Sequence, residues 1–384
     1  MSLVYVSSST IPSRYANSVH VMKMCSGFVK TGKSVLLIAA KGRSCSDGQI
    51  FKFYGVQPNF QICYYPLIGL RGGHLLFSLL SLWKIVRVRP QLVFGRNIIA
   101  GALGVIAGHR TVIEIHAPVD QLPKIERILL GVAVKKKKLL GIVVISPPLK
   151  LSLEKAYGIA IHQKILVAPD AADEIDSGEE SIRLPGQEKF NVGYLGQLSS
   201  GRGIDLIQQI AIGNKWVDFH VIGGSEEDLL YWRHRCASLP NMHFHGFIPH
   251  GEAVKMLTFF DLLLAPYQKI VSIYGLGDTS KWMSPMKIFE YMAARKPILC
   301  SNLEILHEVL QDRVSCIFCD PDSANSWNHA ITKIKENREY GEYLAENAYR
   351  QFVGQFTWSA RAKNVLNQFG LFRSVGTPVA RNGN

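Results

Sequence analysis

FNVGYLGQLSSGRGIDLIQQIAIGNKWVDFHVIGG, residues 190–224, decides the fold. FNVGYLGQL reads as a strand, IDLIQQIAI as a helix and VDFHVIGG as a second strand. A strand–helix–strand run of this length builds parallel strands covered by a crossover helix. The alternation continues downstream through MHFHGFI (242–248), helix HGEAVKMLTFF (250–260), DLLLAP (261–266), helix PMKIFEYMAAR (285–295) and KPILCS (296–301). Helices over 323–337 and around Arg338–Phe369 close the unit.

Upstream the same grammar holds. LVYVSS (3–8) is a strand, and residues 15–32 a helix with Val19, Met22, Phe28 and Val29 at helical spacing and Gly32 at its end. SVLLIAA, ICYYPL, QLVFGRN, RTVIEIHAP, GIVVIS and KILVAP follow as short strands. The acidic, aperiodic stretch 170–189 separates the two runs. The expected fold class is α/β, with two Rossmann-like, doubly wound parallel-sheet domains facing across a cleft. The expected boundaries are 1–185, 190–355, a C-terminal helix at 356–370 packing back on the first domain, and a frayed tail at 371–384.

Charge is divided unevenly. Residues 1–169 carry 22 Lys+Arg against 5 Asp+Glu, net +17; the rest carry 21 against 25, net −4. The basic half calls for an anionic partner. LPKIERILLGVAVKKKKLLG and GLRGGHLLFSLLSLWKIVRVRP mix leucines with Lys135–Lys138, Arg71, Lys84, Arg87 and Arg89, as basic amphipathic surfaces on anionic bilayers do; core-facing helices with solvated backs remain the alternative. No RNA or DNA motif accompanies the charge, and aromatic residues do not interleave with it, so nucleic acid is not expected. No apolar run reaches transmembrane length, Leu75–Trp83 and Ile98–Gly108 being too short, and Met1–Ser9 lacks a basic leader. The expected place is the cytoplasm, peripheral on the inner face of the membrane. Seven cysteines, an odd number and mostly in apolar runs, argue for reduced thiols; Cys316 and Cys319 read as packing residues.

The chemistry concentrates in SPMKIFEYMAARKPILCS, 284–301. Ser284 and Pro285 read as N-cap and first position of a helix whose free N–H groups, with Met286, can receive a phosphate. Lys287 adds a charge in the first turn. Glu290, three residues on, can accept from both hydroxyls of a ribose. In GYLGQLSSGRGID, Gly196 lets a ligand approach the backbone and Arg202 offers a guanidinium fork to a diphosphate. Backbone groups around Gly223, Phe247 and Ile248, at strand ends, can read the edge of a base.

These motifs, in this order and spacing, resemble family 4 of the glycosyltransferases, a large group of retaining enzymes with the GT-B fold. The resemblance covers roughly residues 1–370, with its weight in 190–300. It implies that Arg202 and Lys287 hold the donor diphosphate and Glu290 the ribose. It makes His116, in IEIHAP, the active-site histidine, and sets Asn17, Ser18 and Arg96 on the acceptor side. It implies front-face retention, with no metal or cofactor. The partners implied are a nucleotide-sugar donor, UDP- or GDP-linked, and a glycan or lipid-linked acceptor. Three positions depart from the pattern. Trp282 stands where the family often has a first glutamate, with Asp278 a nearby substitute; Gln197 replaces an arginine; and Arg295 replaces a glycine. A sugar-nucleotide epimerase on the same fold and a non-catalytic partner subunit are the rival functions.

Overall fold

The chain starts as a strand because residues 2–11 are apolar enough to be covered on both faces: Leu3, Val4, Tyr5 and Val6 are all buried. A computed structural model describes residues 2–42, 46–69, 72–175, 189–273 and 277–371. Most of the expected linker and of the C-terminal tail lies outside these residues.

The first unit runs β1 (Ser2–Ile11), α1 (Ala16–Lys30), β2 (Ser34–Lys41), α2 (Asp47–Phe53), β3 (Gln61–Tyr65), α3 (Gly73–Val88), β4 (Leu92–Gly95), α4 (Ile98–Ile106), β5 (Thr111–Ile115), α5 (Lys124–Ala133), β6 (Leu139–Val144), α6 (Pro147–Tyr157) and β7 (Ile165–Val167). The second runs β8 (Phe190–Leu195), α7 (Ile204–Gly213), β9 (Val217–Ile222), α8 (Glu226–Arg235), β10 (Met242–Gly246), α9 (His250–Met256), β11 (Leu262–Ala265), β12 (Ser272–Ile273), β13 (Gly277–Asp278), α10 (Met286–Ala293), β14 (Ile298–Ser301), β15 (Ile317–Cys319), α11 (Ala324–Glu336) and α12 (Arg338–Gln351). A π-turn at Phe352–Phe356 leads into α13 (Trp358–Gln368).

The first sheet has the order β3-β2-β1-β4-β5-β6-β7 and the second β10-β9-β8-β11-β14-β15. Every pairing within both is parallel. The small antiparallel pair β12–β13 was not expected from the sequence. In each sheet the chain reverses its direction of winding once, between β1 and β4 and between β8 and β11. Such reversals open a crevice at the carboxyl ends of the strands, where ligands of open α/β sheets bind.

The first sheet is covered on one face by α1 and α13. These helices touch backbone to backbone, since a Cβ on Gly27 would lie 2.6 Å from the Trp358 carbonyl. The C-terminal helix thus completes the core of the unit that begins the chain. It also delivers Arg361, whose Nη2 donates to Glu114 Oε1 at 2.6 Å and to the Ala168 carbonyl at 3.0 Å; both side chains are buried. Cys316 and Cys319 are buried, and desolvation pushes both thiols up, as packing residues require.

Breaking a buried pair leaves one charge uncompensated, at a cost of about 3–5 kcal/mol. Arg361→Ala is therefore expected to lower the thermal unfolding midpoint sharply. Pairing it with Glu114→Gln should return part of the loss, because no lone carboxylate is then buried. A midpoint for Arg361→Ala equal to the parent's would show that the pair carries no stability.

Candidate functional site

The carboxyl ends of the two sheets face each other, and several contacts cross between them. The loop ahead of α10 reaches into the first unit. There Trp282 is buried in a cluster with Ala117, Val119, Ile145 and Leu149, and its carbonyl accepts from Ser146 Oγ at 2.9 Å. Ser284 Oγ accepts from the Asp170 N–H at 2.8 Å. Ser284 is therefore not the helix cap that the sequence suggested. Pro285 occupies the N-cap, no side chain caps the helix, and α10 begins at Met286. The serine hydroxyl is drawn instead to a backbone donor in the other unit. Elsewhere Phe247 stacks on Phe53 at 6.1 Å, and the Arg14 guanidinium lies 4.3 Å from the Phe247 centroid. The Phe247 side chain thus meets the first unit; only its backbone remains for the expected role beside a base.

On the second-unit side, Lys287 is buried with its ammonium 3.8 Å from the Tyr194 ring centroid and 4.9 Å from that of Tyr267. Its Nζ, Arg202 Nε and the Tyr267 hydroxyl have no hydrogen-bond partner among the described residues. Arg202 lies beside the same ring, at 5.9 Å. Burial, then the nearby Arg202 charge, hold the Lys287 ammonium well below the ordinary lysine pKa, the Glu290 charge opposing them. Unsatisfied buried donors are costly in a folded protein, and these three, gathered around the side chain of Lys287 in the first turn of α10, can donate to an anion.

The floor of this anion seat is glycine backbone. A Cβ on Gly196 would come within 2.9 Å of Lys287 Nζ. Gly223 has φ +114°, and its Cβ would strike the Gly196 carbonyl at 2.2 Å. Glu290, also buried, accepts from His250 Nε2 at 2.7 Å through Oε1. His250, which the sequence reading missed, thus sets the orientation of the carboxylate. Ile248 follows β10 near this wall, packed against the second-unit core.

On the first-unit side, Arg96 follows β4 and His116 follows β5. Arg96 Nε–H donates to His116 Nε2 at 3.1 Å, and its Nη1 to the Asn17 carbonyl at 3.3 Å. An acceptor at Nε2 places the proton of the neutral ring on Nδ1. Burial first, then the Arg96 charge, push the His116 pKa down to about 4. Arg96, His116 and Asn17 therefore come together. Ser18 does not join them: it is buried, and its hydroxyl donates to the backbone carbonyls of Ser13 and Tyr15.

Beneath His116 lies a network that local sequence did not reveal. Glu114 Oε2 lies 3.5 Å from His116 Nε2 and 3.2 Å from His20 Nε2, and accepts from Tyr5 at 3.1 Å. His20 Nδ1 meets Asp170 Oδ1 at 2.9 Å. Burial alone would raise the Glu114 carboxyl; the Arg361 guanidinium and His20 hold it well below the usual carboxylate range. His20, Glu114 and His116 converge closely enough to suggest a cation site. Glu114 spends Oε1 on Arg361 and accepts from Tyr5 at Oε2, and His116 Nε2 accepts from Arg96, so two of the three groups are already engaged within the protein. Asp278, the substitute considered for the missing glutamate, spends Oδ1 on the N–H groups of Val271 and Ser280, which outweigh burial and lower its pKa.

A histidine whose folded pKa is depressed withdraws stability as pH falls, because the unfolded chain takes up the proton first. Between about pH 6.5 and about pH 4, His116 is expected to contribute a falling unfolding midpoint. His116→Gln should flatten that slope. An unaltered slope would place the titration elsewhere.

With this geometry in view, the comparisons are informative. Residues 179–351 match the family model of the glycosyl transferases group 1, a match compatible with the family 4 resemblance. An uncharacterized glycosyltransferase of Methanocaldococcus jannaschii is 25% identical over 196 residues, 49% of this chain and 46% of that protein, so the alignment spans about half of the relative's length. The likeness to solved structures covers 96% of the chain. The Anabaena protein HepE in complex with UDP-glucose aligns with 96% of this chain and 99% of its own at TM-score 0.69 and 14% identity. Sucrose-phosphate synthase of Thermosynechococcus elongatus aligns with 96% and 98% at TM-score 0.71 and 13% identity. The two parallel-sheet domains are the GT-B architecture.

Proposed function

We propose that this chain is a retaining, metal-independent glycosyltransferase that moves a sugar from a UDP- or GDP-linked donor to a glycan or lipid-linked acceptor. One observation carries the reading: Lys287 Nζ in the first turn of α10, and Arg202 Nε and the Tyr267 hydroxyl gathered beside that side chain, are buried with no hydrogen-bond partner among the described residues. A donor diphosphate supplies the missing acceptors. The family match of the second unit and the UDP-glucose bound by the Anabaena neighbour support the same assignment.

In this mechanism the glycosidic bond breaks while the leaving phosphate gains negative charge. Arg202, Lys287 and the helix N-terminus oppose that charge more strongly than they hold the intact donor. They supply the positive charge that a metal ion would otherwise bring. Glu290, aimed by His250, accepts from the ribose hydroxyls. The acceptor hydroxyl attacks on the face from which the phosphate departs and gives its proton to the departing phosphate oxygen, giving retention without a second carboxylate. His116, neutral and carrying its proton on Nδ1, donates to a sugar hydroxyl, and Arg96 keeps that tautomer. A lipid-linked acceptor presents its sugar at a membrane surface, and contact of the basic first unit with an anionic bilayer belongs to the same proposal.

Arg202→Ala and Lys287→Ala should each lose about 2–4 kcal/mol of transition-state stabilisation, read as a fall in kcat/KM with a nucleotide-sugar. Unchanged turnover in both would end the diphosphate assignment. The buried lysine adds a second signature. Its pKa is held down in the free protein and rises when a diphosphate arrives, so binding takes up a proton. UDP affinity should strengthen as pH falls through the alkaline range, and calorimetric heats should vary with the buffer's ionisation enthalpy. In Lys287→Met this pH dependence should vanish; its persistence would assign the proton to another group.

A further inference from the structure

We infer that the outer surface of the helical layer α3–α4–α5 docks on an anionic bilayer, with α3 lying along the surface and the lysine run after α5 engaging lipid phosphates. This rests on the membrane contact proposed above and assigns it to one face of the molecule. The three helices are neighbours on one side of the first sheet, α4 packing against both α3 and α5.

At 3.6 residues per turn, Leu75, Leu79, Trp83 and Val86 fall within one arc of roughly 80°, and all are exposed. Phe77, Ser78, Ser81 and Ile85 fall on the opposite arc and are buried. The helix therefore has two apolar sides, and the core covers one. Trp83 is half exposed at 50%, with the Arg87 guanidinium 4.0 Å from its ring. An indole beside a cation is the pairing favoured where hydrocarbon meets headgroups. On α5, Ile125, Ile128 and Val132 repeat the pattern at exposed positions three and four residues apart. α4 between them is buried along its length except at Leu103 and Ile106, so the exposed stripes of α3 and α5 are what this layer offers to the outside.

Charge selects the occupant. Arg87, Arg89, Lys124, Arg127 and Lys135–Lys138 are exposed around these stripes. α3 has no acidic residue, and α5 has only the partly covered Glu126, whose carboxyl burial pushes up. A second copy of this chain would bring like charges together across the contact. Anionic headgroups neutralise them, and the acyl region takes the exposed leucines, isoleucines and indole. The face also leads to the site: α5 begins a few residues beyond His116, and α4 starts directly after Arg96. A membrane under this layer would present its lipids beside the strand ends that carry both residues. Among the described residues no helix is long and apolar enough to cross a membrane, so the contact is one of surface docking.

The test is cosedimentation of the full chain with phosphatidylcholine vesicles, with and without phosphatidylglycerol, at low and high salt and without nucleotide-sugar. Binding is expected to phosphatidylglycerol vesicles at low salt, and to weaken strongly in salt or on phosphatidylcholine alone. Leu79→Glu with Trp83→Glu should weaken it by roughly tenfold or more. Substituting glutamine together at Lys135, Lys136, Lys137 and Lys138 should weaken it by roughly tenfold to a thousandfold. Both variants should keep the parent's UDP affinity and unfolding midpoint, which separates loss of docking from loss of fold. No sedimentation with anionic vesicles at low salt would overturn the inference. So would binding indifferent to the α3 changes, or a dimer in light scattering that Leu79→Glu dissolves while vesicles bind nothing. None of these results bears on glycosyl transfer, which stands or falls with UDP binding and turnover.

Discussion

The ion pair between Arg361 and Glu114 is the contact on which the arrangement of the first-unit site depends. Glu114 sits on a central strand and is almost wholly removed from water. A carboxylate there is tolerable only with a cation beside it, and the cation comes from the last helix of the chain, 247 residues away. The chain must therefore cross to the second unit, complete it and return before Glu114 is neutralised. Once paired, Glu114 can hold His20 and lie beside His116, and His20 in turn holds Asp170 where the chain leaves the first unit. One buried charge thereby ties the site, the crossing segment and the C-terminal helix together.

The two sides of the cleft are built on opposite electrostatic plans. In the first unit every group of the network has a partner in the protein. In the second, a guanidinium, a buried lysine and a phenol crowd together, each with a donor that meets no acceptor among the described residues. The first plan fixes geometry; the second leaves an attraction to be met from outside. Glu290 lies between the two cases, with one carboxylate oxygen taken by His250.

Much of this was legible in the sequence, and the reason is locality. The strand–helix alternation is written in adjacent residues, and so are the glycine-rich turn at Gly196 and the Lys287–Glu290 spacing along one helix. The parallel sheets followed from that alternation. What stayed hidden depends on partners far along the chain. His20, Asp170 and Arg361 look like ordinary helix or loop residues until the fold brings them to Glu114. Ser284 has the local signature of a helix cap, but a backbone N–H 114 residues away claims its hydroxyl. Ser18 was placed by its neighbourhood in the motif, whereas its side chain is spent on a turn. Periodicity marked α3 as apolar; only the packed structure shows which of its two apolar sides the core leaves uncovered.

Trp282, anchored among residues of the opposite unit while sitting four residues ahead of α10, couples the separation of the two units to the segment that leads into that helix. Widening the gap draws the indole out of its socket and tugs on the same segment that shapes the anion seat. If the donor is held as proposed, its affinity and the angle between the two halves are consequently not separate variables.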